Sequence, residues 1–257
     1  MFPALAPSMA EFDREASIYD ETRAPPAPEE LRAVLHALEG CPRVLEGGVG
    51  TGRFSVPLSE QGHQMTGVDI SREMMRRARQ KGLGALVLGS LYRLPFREAS
   101  FDASLLVHVL QLLPDPFSPL RELARVSRQR VVAVFPDRGG REGMGRFRER
   151  YRQYAEELGY PLPPRPRYWE NGQKLLAAVP PAGLDRVELP RDPGSLQSRL
   201  ERRQAFGFSG VPPEVHAKIL DRLQQERGGE RTDRPPRRTV HVAWWEARTL
   251  LGPLPTA

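Results

Sequence analysis

In the segment VLEGGVGTGRFS, residues 44–55, an apolar run of strand length feeds directly into three glycines, Gly48, Gly50 and Gly52. Glycine turns the backbone sharply and lets a ligand approach it with no Cβ in the way. Seventeen residues after Gly52 a second apolar run ends in Asp69, within TGVDIS. A carboxylate at that point can accept hydrogen bonds from both hydroxyls of a ribose. Together the two features predict a nucleoside-binding crevice at the carboxyl ends of adjacent parallel strands. The dinucleotide fingerprint GxGxxG is a poorer fit. The third glycine falls one position early, and Arg53 stands where that fingerprint needs a small residue. Glu46, just before the loop, would repel a pyrophosphate, whereas it suits a ligand whose other end is an amino-acid zwitterion or a sulfonium cation.

These residues need a sheet to hold them. Apolar runs alternate with amphipathic stretches through the first half, the pattern of a parallel sheet covered on both faces. Strands are predicted at 43–47, 65–70, 85–89, 102–108 and 130–135, with helices near 52–60, 71–81 and 116–127. Ser71 is the expected N-cap of the second helix, with Glu73 in its first turn and Met74, Met75 and Ala78 on one face. Pro57 predicts a kink or a late start in the helix before it. After Asp137 the pattern changes. A helix at 143–158 carries Phe147, Tyr151, Tyr154 and Leu158 on one face, and that stripe is expected to pack on the sheet. Further helices are expected near 170–179, 194–205 and 212–225, with a short strand at 184–189, an Arg/Gly/Pro loop at 227–238 and a last strand at TVHVAWWEA. Trp244 and Trp245 should point to opposite faces of it. The chain reads as one domain, 1–257, with an N-terminal helical lid at 1–40, a core at 41–137, a helical substrate-cap insertion at 138–182 and sheet-completing elements at 183–257.

Composition narrows the class. The 257 residues are 39% apolar and 27% charged, near the globular average, which excludes a fibre or a disordered tail. No apolar stretch reaches the ~20 residues a membrane span needs. The opening MFPALAPSMAEFD lacks a basic n-region and a long apolar run, so a soluble cytoplasmic protein is expected. A single cysteine, Cys41, forms no internal disulfide, and five scattered histidines make no metal cluster. The net charge of +6 divides into −1 over residues 1–137 and +7 over residues 138–257, which raises an anionic partner. Only three basic residues are lysines, so the arginine richness equally reads as compositional bias.

At this point the chain resembles the class I S-adenosylmethionine-dependent methyltransferases, nearest the branch of the ubiquinone and menaquinone biosynthesis enzymes, over roughly residues 10–136. VLEGGVGTG is similar to the first motif of that family, GVDISREMM to the second, GSLYRLPFREASFD to the third and SLLVHVLQLLPD to the fourth-strand motif. The resemblance implies an α/β fold: Rossmann-like and doubly wound, with a mostly parallel seven-stranded sheet and an antiparallel last strand. It implies that Glu46 anchors the methionine end of the cofactor while Gly48, Gly50 and Gly52 border it. Asp69 would hold the ribose, Ile70 and Met74 would pack near the adenine, and Ser90 and Leu91 would meet the adenine edge. Val107 and His108 would lie at the mouth of the site, and Tyr19 and Arg23 of a leading helix would face it. Ser90 departs from the aspartate usual in the family.

The implied activity is methyl transfer from S-adenosylmethionine to a small or medium-sized acceptor by in-line displacement, leaving S-adenosylhomocysteine. A sulfonium carries its own leaving group, so alignment and water exclusion do most of the work, and no general base is assigned. An anionic acceptor would suit the basic second half. Two readings stay open beside this one: a tRNA or rRNA methyltransferase using that basic half, and a cofactor-binding protein without catalysis, supported by Ser90. Against the first, no Asn-Pro-Pro-Tyr-like tetrapeptide follows the fourth strand, and Cys41 is misplaced as a nucleophile for cytosine.

Overall fold

Near-continuous apolar runs bounded by glycine or charge make strands buried on both faces, and the computed structural model of the chain shows them. It describes residues 12–13, 16, 19–137, 142–162, 168–190, 211–226 and 237–254. The strands are β1 (Arg43–Gly47), β2 (Gln64–Asp69), β3 (Leu86–Leu88), β4 (Phe101–Val107), β5 (Ser127–Pro136), β6 (Gly183–Pro190) and β7 (Arg237–Glu246). They form one seven-stranded sheet in the order β3-β2-β1-β4-β5-β7-β6. β1 to β5 pair in parallel, and β7 runs antiparallel to β5. The chain leaves β1 toward β2 and later returns to the other side of β1 as β4, so the order reverses there. In open α/β sheets such a switch point opens a crevice beyond the strand ends.

The helices are α1 (Tyr19–Thr22), α2 (Pro28–Ala37), α3 (Ser55–Glu60), α4 (Arg72–Gln80), α5 (Phe117–Val126), α6 (Glu142–Glu157), α7 (Asn171–Ala178), α8 (Pro213–Glu226) and α9 (Ala247–Leu250). Ser71 caps α4 as its spacing predicts, its Oγ accepting from the Met74 N–H at 3.1 Å, and Met74 and Ala78 are the buried face. α3 starts late, at Ser55, which leaves Pro57 in the first turn where a missing N–H costs no helical hydrogen bond. Two apolar layers cover the sheet. Leu45, Leu106, Val131 and Trp245 pack with Leu120 and Leu123 of α5 and Leu175 of α7. Val44, Leu105, Val132 and Val242 pack on the other side with Val34 of α2 and Leu58 of α3. Trp245 joins the first layer and Trp244 borders the second, as strand alternation requires.

The chain separates into two compact units. Residues 1–136, 166–189 and 239–257 form the first, and residues 137–165 and 190–238 the second. The sequence reading placed one insert at 138–182; the second unit instead draws on two segments, and α7 groups with the sheet. Within the second unit Tyr151 and Tyr154 of α6 are buried with Val215, Ile219 and Leu223 of α8, a helical partner where the sequence reading expected the sheet. Tyr151 Oη and His216 Nδ1 share a buried hydrogen bond there. Leu158 is exposed. The expected helix at 194–205 lies outside the described residues, and β7 begins at Arg237, inside the expected loop.

Candidate active site

The glycine loop is fastened to the end of β2 by backbone alone. The N–H groups of Gly48 and Val49 both donate to the Val68 carbonyl, at 2.7 and 3.1 Å, and Gly52 N–H closes the turn on Val49 O at 3.0 Å. Gly48, Gly50 and Gly52 have φ of 69°, 55° and 78°, the left-handed region that only glycine enters freely. Their surroundings differ. A Cβ on Gly48 would stand 2.7 Å from Val109 Cγ2, and one on Gly52 would stand 2.7 Å from Leu83 Cδ1. Gly50 has nothing within 4 Å, so its exposed backbone is open to a ligand.

Asp69 ends β2 and locks the loop. Its Oδ2 accepts from Gly50 N–H and its Oδ1 from Ser71 N–H, each at 2.8 Å. The Ile70 N–H also supports the carboxylate. Burial raises the Asp69 pKa, opposed by these backbone N–H groups. Glu46 lies deeper. It is 3% exposed, accepts a short hydrogen bond from Ser55 Oγ, and burial pushes its pKa up to about 8.

A cavity open to solvent runs over these strand ends. On the glycine-loop side it is lined by Gly48, Gly50, Asp69, Ile70, Met74, Ser90 and Leu91. On the β4 side it is lined by Val107, His108, Val109, Leu112 and Leu113, and Phe12, Tyr19 and Tyr92 complete the wall. Thus Tyr19, Gly48, Gly50, Asp69, Ile70, Met74, Ser90, Leu91, Val107 and His108 come together as the sequence predicts. Three expected residues do not line it. Glu46 is buried behind the loop, Gly52 faces Leu83, and Arg23 stacks its guanidinium 5.5 Å from the Tyr19 ring. The reading missed Phe12, Tyr92, Val109, Leu112 and Leu113.

Polar contacts hold the walls. Arg125 donates to Phe96 O and Leu94 O at 2.9 and 3.2 Å, pinning the segment after Tyr92, while its ion pair lowers the Glu122 pKa. Tyr92 Oη donates to Asp115 O at 3.1 Å. Asn171, 3% exposed, donates to Leu110 O and Leu113 O at 2.9 and 2.8 Å, which fixes the short 3-10 turn at Leu110–Leu112. Ser90 Oγ accepts from Tyr92 N–H at 3.3 Å. Near the N-terminus, Thr51 Oγ1 donates to Asp20 Oδ1 at 2.6 Å and Lys81 Nζ approaches the same oxygen at 2.7 Å. Among the described residues no group of three His, Cys, Asp or Glu side chains could hold a metal ion, and no helix is long and apolar enough to cross a membrane.

Comparison with known proteins agrees with this geometry. The methyltransferase domain family matches residues 45–135, from β1 to β5. A malonyl-[acyl-carrier protein] O-methyltransferase of Erwinia pyrifoliae is 36% identical over 131 residues, 49% of each chain. A demethylmenaquinone methyltransferase of Beutenbergia cavernae is 36% identical over 110 residues, 40% of this chain and 46% of that one. This chain therefore spans about half the length of these curated relatives. Among solved structures, a SAM-dependent methyltransferase of Thermotoga maritima, described as a possible histamine N-methyltransferase, superimposes with a TM-score of 0.55. It shares 22% identity and covers 92% of this chain and 98% of its own, a likeness of fold. Residues 45–135 thus match a methyltransferase domain, and the strand order with its glycine loop closed on Asp69 is the fold of the class I S-adenosylmethionine-dependent methyltransferases.

Proposed function

We propose that this protein transfers the methyl group of S-adenosylmethionine to a small or medium-sized acceptor bound in the same cavity, leaving S-adenosylhomocysteine. The observation that carries the reading is Asp69, aimed into the cavity with both oxygens oriented by backbone N–H groups and beside an open glycine backbone at Gly50. Such a carboxylate suits a ribose, and Gly48 and Gly50 leave room for a close approach. Ile70, Met74, Ser90 and Leu91 then serve the adenine. Ser90 can accept from the adenine amino group more weakly than a carboxylate would. Glu46, protonated across much of the neutral range, acts behind the loop through Ser55 and supplies no full negative charge to the methionine end below pH about 8.

When bound, S-adenosylmethionine supplies an electrophilic methyl group on a good leaving group. The chain's own part is to orient the acceptor for in-line attack and to keep water away, for which the side chains of Phe12, Val109, Leu112 and Leu113 are suited. A cytoplasmic small-molecule enzyme is the corresponding cellular reading. The test is to incubate the protein with S-adenosylmethionine and separate pools of phenols, quinols, carboxylic acids, amines and total tRNA, following S-adenosylhomocysteine. Turnover is expected with a small-molecule pool and is lost in Asp69→Ala. Turnover with tRNA alone, or binding with no turnover in any pool, would overturn the reading.

A further inference from the structure

On the glycine-loop side of the cavity, Asp69 and Ser90 are the polar side chains among the described residues, beside the apolar Ile70, Met74 and Leu91. The sheet register brings the two together. Asp69 of β2 pairs with Leu88 of β3, and Gly89 N–H donates to Asp69 O at 2.9 Å. Ser90 is therefore the first side chain beyond the end of β3, one residue past the glycine that touches the Asp69 backbone. Met74 and Leu91 are buried beside it, so apolar surface is offered to a flat ring and Ser90 supplies a hydrogen-bonding group. Its own bonds leave a donor unspent. Ser90 Oγ accepts from Tyr92 N–H at 3.3 Å, and Ser90 O accepts from Arg93 N–H at 3.2 Å, which holds the segment in a tight turn. Among the described residues no group accepts the Ser90 O–H.

A hydroxyl carries one donor and two acceptor lone pairs, and its hydrogen rotates to suit the partner. With one lone pair committed to Tyr92 N–H, Ser90 offers a ligand either its proton or its second lone pair. An ionised carboxylate in the same place would only accept. Resting on the reading above that the ribose lies on Asp69, we propose that Ser90 determines which purine the site takes, and that it admits a purine with either an amino or an oxo group at C6. The purine edge directed away from the ribose carries C6. An amino group there donates to the free lone pair of Ser90, and an oxo group accepts the Ser90 proton. Exchanging one for the other asks only for rotation of the hydroxyl, with no movement of the backbone. A site that only accepts would reject the oxo compound, because two acceptors would face each other with no hydrogen between them. The spent nucleoside therefore remains a competitor for this cavity after loss of its amino group.

The test is calorimetric titration of the full chain with S-adenosylhomocysteine and with S-inosylhomocysteine, its analogue bearing hypoxanthine in place of adenine. Wild type, Ser90→Ala and Ser90→Asp are compared. Aspartate still presents an oxygen to Tyr92 N–H, so the turn keeps its acceptor. The wild type should bind the two ligands with affinities within about tenfold of each other, the worth of one hydrogen bond. Ser90→Ala should weaken both by similar factors, roughly three- to tenfold. Ser90→Asp should retain S-adenosylhomocysteine and reject S-inosylhomocysteine, widening the ratio of their affinities by roughly a hundredfold. A merely structural role for Ser90 would change both affinities together and leave that ratio where it was. A wild-type ratio outside the expected range, or a ratio that Ser90→Asp leaves unchanged, would overturn the proposal. Failure of the wild type to bind S-adenosylhomocysteine would instead overturn the methyl-transfer reading beneath it.

Discussion

The two halves of the cavity are built by different means. At the ends of β1 and β2 the lining is backbone, glycine and one carboxylate held by N–H groups, with each contact spanning at most about twenty residues of sequence. At the end of β4 the lining is side chain, and its supports come from far along the chain: Glu30 is 78 residues from His108, and Asn171 is 58 and 61 residues from the carbonyls it fixes. A half made of local backbone geometry tolerates little substitution and reads out a constant ligand. A half made of side chains propped from a distance can change its contents while the sheet stays the same.

Substitutions should therefore separate the two halves. The largest effect is expected at Gly48, where the halves touch. Gly48→Ala combines a left-handed penalty with a Cβ 2.7 Å from Val109, and should lower stability by roughly 2–5 kcal/mol in thermal or urea unfolding and abolish cofactor binding. Next comes a pH effect confined to the first half. The folded-state pKa of Glu46 is raised to about 8 from an ordinary 4.5, so the folded chain holds a proton that the unfolded chain has released. Its contribution to stability is present below pH 4.5 and is lost as pH rises to about 8, on the order of 5 kcal/mol in all. Asp69, also raised, adds in the same direction, whereas the lowered pKa of Asp102 works the opposite way in more acid solution. Urea unfolding of Glu46→Gln across that range should give a flatter stability profile than wild type.

Asn171→Ala probes the second half. It leaves two buried carbonyls without their donor and should cost about 1–3 kcal/mol of stability, while calorimetric affinity for S-adenosylhomocysteine stays close to wild type. A large loss of affinity would erase the distinction between the halves. The smallest effect is expected at Lys81→Ala. Its ion pair with Asp20 is more than a third exposed at both ends, and such pairs contribute about 0–1 kcal/mol, screened by salt.

The same contrast explains what the sequence made legible. β1, β2 and β4 with their glycines and Asp69 could be read because period, spacing and residue type all act within a short stretch. α4 was placed by Ser71, and the late start of α3 by Pro57. Phe12, Tyr92 and Leu113 could not be placed in the cavity, because nothing local distinguishes a leucine in the wall from one in the core. That Glu46 and Gly52 do not line the cavity could not be read for a related reason. Spacing locates the loop, but whether a side chain faces the ligand or the layer behind it depends on Ser55 and Leu83, which pack from α3 and beyond α4. The expected insert at 138–182 and the observed unit differ because nothing in the sequence of α7 marks it as packing with the sheet, whose unit it joins.

The central claim is that the crevice over β1 and β2 binds S-adenosylmethionine through Asp69. Calorimetric titration of the wild type and Asp69→Ala with S-adenosylmethionine and S-adenosylhomocysteine, with NADH as control, tests it directly. The account predicts binding of both sulfur ligands to the wild type, none of NADH, and roughly a hundredfold weakening in Asp69→Ala, about 2.7 kcal/mol for two lost charge-assisted hydrogen bonds. Binding of NADH in preference, or equal affinity in wild type and Asp69→Ala, would contradict it.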